Sequence, residues 1–394
     1  MSETELWASC GAMALTGRAA GPALLGTGSP AGAVHAALNR IAAAGVARVP
    51  GVQLLGERAA LTGAGRNAPW SAGGSFRILP ALDGWLGVSL ARPADVSLLP
   101  ALVEDDVSAP WPAIGTWLRR TPAGLAAARA QLLGLPAAEV PARPAAPVRP
   151  PVVVTPGGLR EPVARPFVLD FSALWAGPLA AHLLGLAGAR VVKVESRTRP
   201  DGARSGSPRF FDLLQAGHEA VALDFTGQRE ELGRLVARAD VIIEASRPRA
   251  LAQLGIDATR EVARGAIWVS ITAAGRDHGL RVGFGDDVAA GAGLVAWEDG
   301  VPYPMADALA DPMSGVTAAA AAIEALSGRR GALIDVSMHD VCAAAAVAPR
   351  TGPADVIASA PAARAPRGAA VPMGHDTARV LAEPGPPVPE RSPA

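Results

Sequence analysis

Asp311 stands directly before Pro312 and an alanine-rich run to Leu326 that reads as a helix. An aspartate there is expected to be the helix N-cap, with proline at the first helical position. The free N–H groups and positive dipole end of the helix favour its charged form while lowering its nucleophilicity. Capping alone explains such a residue, at about 1 kcal/mol. A carboxylate is also among the side chains able to act as a covalent nucleophile. Gly283-Phe284-Gly285-Asp286-Asp287 adds two carboxylates, although taken alone these residues read as a turn. Arg197, Arg199 and Arg204 follow one β-branched run, and Arg247 follows another. Cations just past strand C-termini are where open α/β sheets meet phosphate groups. Any one of these arginines is as readily a solvated side chain.

Other chemistries lack their residues. The six histidines are scattered without metal-ligand spacing, and no Gly-x-Ser-x-Gly elbow or phosphate-binding Walker loop occurs. Cys10 and Cys342 lie far apart and read as free thiols of a reducing compartment. Lysine and arginine total 36 against 36 aspartates and glutamates, so no broad basic field advertises nucleic-acid binding. No apolar run approaches the ~20 residues of a membrane span. The opening Met-Ser-Glu-Thr-Glu is acidic where a secretion signal would be basic. The expected location is the cytoplasm. Trp70, Trp85 and Trp111 are expected to pack a core rather than stack a ligand.

The elements that must position these groups begin at Phe167. Short β-branched runs recur at 167–172, 189–195, 220–225, 240–245, 266–272 and 332–338, bounded by turn signals. Helical stretches fill the gaps, including one opened by Gly177-Pro178 and closed by Gly188, then 227–238, 248–254 and 312–326. Strands alternating with helices predict an α/β fold with a doubly wound parallel sheet. Residues 1–139 read as a smaller α/β domain, with a helix over 35–47, a hairpin over 74–91 turning at Asp83-Gly84, and helices over 98–103 and 117–135. The Pro-rich run 140–166 reads as a semi-rigid connector unable to form a packed element. Residues 346–394 are Pro- and Ala-rich, with the last dozen expected to be disordered.

Residues 167–345 also resemble the class III CoA-transferases (the CaiB/BaiF type), which include formyl-CoA and carnitine CoA-transferases and α-methylacyl-CoA racemase. Asp170, Ala176, Gly177 and Pro178 match the opening signature, and Val192-Lys193-Val194-Glu195 the second strand. Val221-Ala222-Leu223-Asp224, Asp240 to Pro248, Leu254-Gly255-Ile256 and Trp268 to Ile271 follow in the family's order. Ala310-Asp311-Pro312-Met313-Ser314-Gly315 matches the motif that carries the family's catalytic aspartate, and Ile334 to Met338 the strand after it. Asp83 to Val88 resembles the hairpin of the family's small domain, here placed ahead of the Rossmann-like part. Pro366-Arg367 with Gly374 to Thr377 resembles the closing element.

The resemblance implies a Rossmann-like CoA-binding domain and a CoA-transferase, with Asp311 as the acyl-accepting nucleophile and CoA or acyl-CoA as substrate. It places Trp175, Ala176, Arg197, Arg204, Arg247 and Asp286 beside CoA, and requires no metal. It also implies small carboxylic acids as partners and a homodimer, or a hetero-oligomer with a homologue. Three departures bear on that reading. Asp286 stands where racemase-type members have histidine, His218-Glu219 replaces an expected Lys-Arg pair, and Trp175 replaces a glutamine found in some members. The alternatives are a racemase-like enzyme or a catalytically inactive acyl-CoA-binding subunit.

Overall fold

The computed structural model describes residues 1–245, 249–352 and 355–384. Its strands are β1 (Phe76–Pro80), β2 (Trp85–Ser89), β3 (Ala137–Val140), β4 (Val152–Leu159), β5 (Phe167–Asp170), β6 (Arg190–Ser196), β7 (Glu219–Leu223), β8 (Val241–Glu244), β9 (Ile267–Thr272), β10 (Val295–Glu298), β11 (Val301–Pro304) and β12 (Arg330–Ser337). Seven of them form one sheet in the order β4-β12-β9-β8-β5-β6-β7. Every pair from β12 to β7 is parallel. Both faces are covered, so β5, β8 and β9 are buried along their whole length, as apolar runs without alternation require. The chain winds one way through β5, β6 and β7, then returns to β8 on the other side of β5. That reversal makes the C-terminal ends of β5 and β8 the topological switch point, the place where sheets of this kind bind ligands.

The doubly wound sheet expected from the sequence is present, but its edge is not as expected. The Pro-rich stretch is no mere connector, because β4 pairs antiparallel with β12 from Val336↔Val152 to Arg330↔Leu159. An edge strand needs hydrogen bonds on one side only, so it tolerates Pro156. The single helix expected over 117–135 is two, Pro110–Leu118 and Ala123–Leu133. Pro122 between them disfavours helical backbone at Thr121.

Residues ahead of the sheet contribute to three cores, one of them Phe76, Ile78 and Val140 packed with Ala290 and Val295. Trp7, Leu38, Ile41, Leu54 and Leu55 pack into the cluster that holds Leu179, Leu183, Met313 and Val316. Leu86, Leu99, Leu102, Ile114 and Leu118 form a separate cluster around β1, β2 and β3. Trp70 and Trp111 meet edge-on at 4.8 Å. Near the other terminus, the helix Thr377–Ala382 closes the edge of β7. Asp376 and Ala220 exchange hydrogen bonds at 2.9 and 3.0 Å, and Val380 is fully buried. The expected terminal disorder falls, from residue 385 on, outside the described residues.

Candidate active site

Asp311 is not an N-cap. The helix Ala310–Leu326 begins one residue earlier, with Leu309 in the capping position and no side-chain cap. Ala306 and Ala308 both have left-handed backbone, and the Asp311 N–H already bonds the Ala308 carbonyl at 2.9 Å. This turn makes Leu309 helical and moves Asp311 into the first helical turn. Its carboxylate faces Gly285, the first residue of the helix Gly285–Gly291. A Cβ on Gly285 would lie 2.6 Å from Asp311 Oδ2 and 2.3 Å from the Ala308 carbonyl oxygen, so only glycine fits there.

Around Asp311 two more carboxylates, Asp286 and Asp307, and one guanidinium converge, with Asp287 next along the helix from Asp286. Arg58, on the short helix Glu57–Thr62, donates from Nε to Asp307 Oδ2 at 2.7 Å and pairs its Nη2 with Oδ1. Its guanidinium lies 4.9 Å above the Trp175 ring, and Trp175 meets Phe210 edge-on at 5.1 Å. Asp286 accepts the Ala308 N–H at 2.9 Å. Asp287 accepts from the Ser89 hydroxyl and the Phe284 N–H, both at 2.9 Å.

Burial dominates the electrostatics of this cluster. It pushes the Asp311 carboxyl up to about 7; Arg58 and the Gly285 amide oppose that rise, while Asp286 and Asp307 add to it. Burial likewise raises Asp286 to about 6, reinforced by Asp307 and countered by Arg58. Asp287 rises to about 7 through burial, against its hydrogen bonds from Phe284 and Ser89. Burial opposes the Arg58 charge, but the Asp307 carboxylate more than offsets it. The helix dipole was expected to lower Asp311; desolvation and two neighbouring carboxylates outweigh it.

The switch-point loop is held by buried charges of its own. Lys193, the single lysine, lies 2.9 Å from Asp201 and 3.7 Å from Asp170, and donates to the Ser172 carbonyl at 2.9 Å. Asp201 also accepts the Leu174 N–H at 2.9 Å, fixing Leu174 at φ 68°. A non-glycine residue in that region is strained and persists only where its surroundings hold it. Trp175 and Ala176 follow, both buried. Ala176 starts the helix Ala176–Leu186, packed against the helix of Asp311 at Gly315.

Of the sequence-predicted residues, Asp286 faces Asp311, and Trp175 reaches the cluster through Arg58. Arg204 instead pairs with Glu195 at 2.6 Å and stacks on Phe211 at 4.5 Å. Arg197 is exposed, and Arg247 lies outside the described residues. Sequence reasoning missed Arg58, Asp307 and Ser89. Asp307 lies four residues before Asp311 in a loop without motif character, and Arg58 is 249 residues from its partner, so neither carried a local signal. Among the described residues, no group of three or more histidine, cysteine or carboxylate side chains is arranged to hold a metal ion.

Residues 166–374 match the family model described as CoA-transferase family III. The chain is 33% identical over 198 residues to a probable fatty acyl-CoA transferase, Rv3272, of Mycobacterium tuberculosis, covering 44% of this chain and 50% of that protein. It is 28% identical over 194 residues to a formyl-CoA:oxalate CoA-transferase of Streptomyces coelicolor (44% and 46% covered). Succinyl-CoA:glutarate CoA-transferase of Mus musculus is 29% identical over 191 residues (43% and 44%). A crystal structure of the Mycobacterium tuberculosis protein aligns over 47% of this chain and 55% of its own, at 32% identity and a TM-score of 0.41. The chain spans about half the length of the curated relatives it matches. It belongs to CoA-transferase family III.

Proposed function

We propose that this member of CoA-transferase family III moves CoA from an acyl-CoA donor to a carboxylic acid, with Asp311 as the covalent carrier. The observation that carries this reading is Asp311 itself: a half-buried carboxyl raised to about 7, in the first turn of a helix packed against the start of the switch-point helix. A carboxylate of that basicity is a better nucleophile than an ordinary aspartate, yet a large fraction is ionised near neutrality.

In the proposed cycle, Asp311 attacks the thioester carbonyl carbon, the C–S bond breaks, and CoA leaves as thiolate. The resulting mixed anhydride is attacked by that thiolate at the aspartyl carbonyl, releasing the donor acid and leaving an aspartyl-CoA thioester. The acceptor carboxylate displaces CoA to form a second anhydride. Thiolate attack on the acceptor's acyl carbon then gives the new acyl-CoA and regenerates Asp311. The chain's own part is to keep Asp311 fixed and partly shielded from water, with the Gly285 backbone against its carboxylate. Arg197, Arg204 and Arg247, by their places after β6 and β8, are the proposed cations for the CoA phosphates, with Trp175 and Ala176 at the start of the switch-point helix. A homodimer and a cytoplasmic location complete the reading; two buried free thiols are compatible with the latter.

The test is CoA exchange between acyl-CoA donors and a panel of carboxylic acids, comparing wild type with D311N. Wild type should form the acceptor's thioester, and the variant should lose at least ~10³-fold, the scale of a removed nucleophile. Transfer that survives in D311N removes Asp311 from the mechanism. One observation favours a second reading, proton transfer at the α-carbon of an acyl-CoA. Asp286 and Asp311 face each other with carboxyls at about 6 and 7, two titrating groups near neutrality. Exchange of α-deuterium without CoA transfer would select it. Neither activity, with acyl-CoA still bound, would mark an inactive binding subunit.

A further inference from the structure

We propose that Arg58, supplied by the N-terminal segment outside the family-matched residues, is the positioning residue that keeps the Asp311 carboxylate available as an anion. The proposal rests on the reading of Asp311 as the nucleophile. The matched segment contributes Asp286, Asp287, Asp307 and Asp311, and the guanidinium paired with Asp307 comes from outside it. Two of the first three receive a side-chain hydrogen bond from the N-terminal segment: Ser89 for Asp287 and Arg58 for Asp307. Asp311 receives neither of these hydrogen bonds, and depends on the guanidinium through space.

The groups facing Asp311 come from four elements: Arg58 from its short helix, Asp286 and the Gly285 amide from the helix Gly285–Gly291, Asp307 from the loop before the helix Ala310–Leu326, and Cys342 from the helix Met338–Val347. Burial pushes the Cys342 thiol up, so it stays neutral. Two carboxylates therefore repel a charge on Asp311 and one guanidinium attracts it. Loss of the guanidinium leaves a half-buried carboxyl beside two others, and like charges crowded in this way hold protons.

The position of Arg58 is over-determined, as a charge-setting role requires. Two hydrogen bonds to Asp307 fix the plane of the guanidinium, and the Trp175 face supports it from the other side. Trp175 thus acts as a platform for the cation, which accounts for a buried indole at a position expected to line CoA.

The experiment reads the ionisation of Asp311 without acyl transfer. Wild type, R58Q and R58K are labelled across pH 5–9 with a water-soluble carbodiimide and an amine, which captures protonated carboxyls, and the Asp311 peptide is quantified by mass spectrometry. The proposal expects the R58Q midpoint to rise by about one pH unit or more, while R58K stays near wild type. A folded R58Q that titrates like wild type overturns it, as does an R58K shifted as far as R58Q, which would make the shape of the side chain decisive. Where R58Q does not fold, R58Q/D307N leaves neither member of the pair charged. Its midpoint should still exceed wild type, because Arg58 outweighs Asp307. Failure of the transferase reading would appear separately, as absent CoA exchange with this titration intact.

Discussion

Replacing Gly315 by alanine should separate the two helices that frame the site. Gly315 follows Asp311 by four residues and so lies on the same helix face. A Cβ there would sit 2.5 Å from the Ala176 carbonyl oxygen and 3.1 Å from Leu179 Cβ. The carbonyl is backbone and cannot swing aside, so the helices Ala176–Leu186 and Ala310–Leu326 must part by roughly an ångström to restore ordinary contact. Overpacking of this kind costs about 1–3 kcal/mol. Exchange of a helical glycine for alanine returns up to about 1 kcal/mol. The clash wins, with a net loss of about 1–2 kcal/mol, read as a lower urea midpoint at unchanged slope. Asp311 moves with its helix relative to the switch-point loop, and a displacement near 1 Å costs on the order of 100-fold in rate. Single-turnover acylation of G315A should fall by about that factor. A G315A protein as stable as wild type, acylating at the wild-type rate, would refute the packing argument.

Three further outcomes follow from the buried charges and the closed edge. Asp286, Asp287 and Asp311 all have folded-state values above the ordinary aspartate range, so the folded state binds protons the unfolded chain has released. Their stabilising contribution is complete below pH ~4 and lost as pH rises through about 6 to 7; urea unfolding should show stability falling from pH 5 to 8 by ~1 kcal/mol or more, and a flat profile contradicts the assignments. Lys193→Met leaves Asp170 and Asp201 buried without their cation, which should cost about 3–5 kcal/mol in thermal unfolding, partly recovered in K193M/D201N. Val380→Asp buries a charge against β7 and should cost at least ~2 kcal/mol; an unchanged melting temperature would mean that the helix Thr377–Ala382 does not close that edge.

How much was legible in the sequence depended on how local each cause was. Strands β5, β6, β8 and β9 announced themselves because burial on both faces demands uninterrupted apolar runs, and their order then implied a parallel sheet. Strand β4 was hidden because an edge position relaxes that demand and admits Pro156. Asp311 could be picked out, but its place relative to the helix start could not. That place is set by left-handed backbone at Ala306 and Ala308, where no glycine advertises a turn. Its ionisation was misjudged for the same reason: the dipole is a property of one helix, whereas desolvation and crowding by Asp286 and Asp307 exist only in the folded molecule. Arg58 was illegible, since it is an arginine on an unremarkable short helix that meaning reaches only through Asp307 and Trp175. The Lys193–Asp170–Asp201 network had half a signal, a lone lysine inside an apolar strand.

Covalent carriage by Asp311 requires that its carboxyl become acylated. Wild-type protein incubated with an acyl-CoA and then hydroxylamine, digested and mapped by mass spectrometry, should yield a hydroxamate on the peptide containing Asp311, and D311N should yield none. Acyl-CoA consumed with the modification on another residue, or with no modified peptide at all, would contradict it.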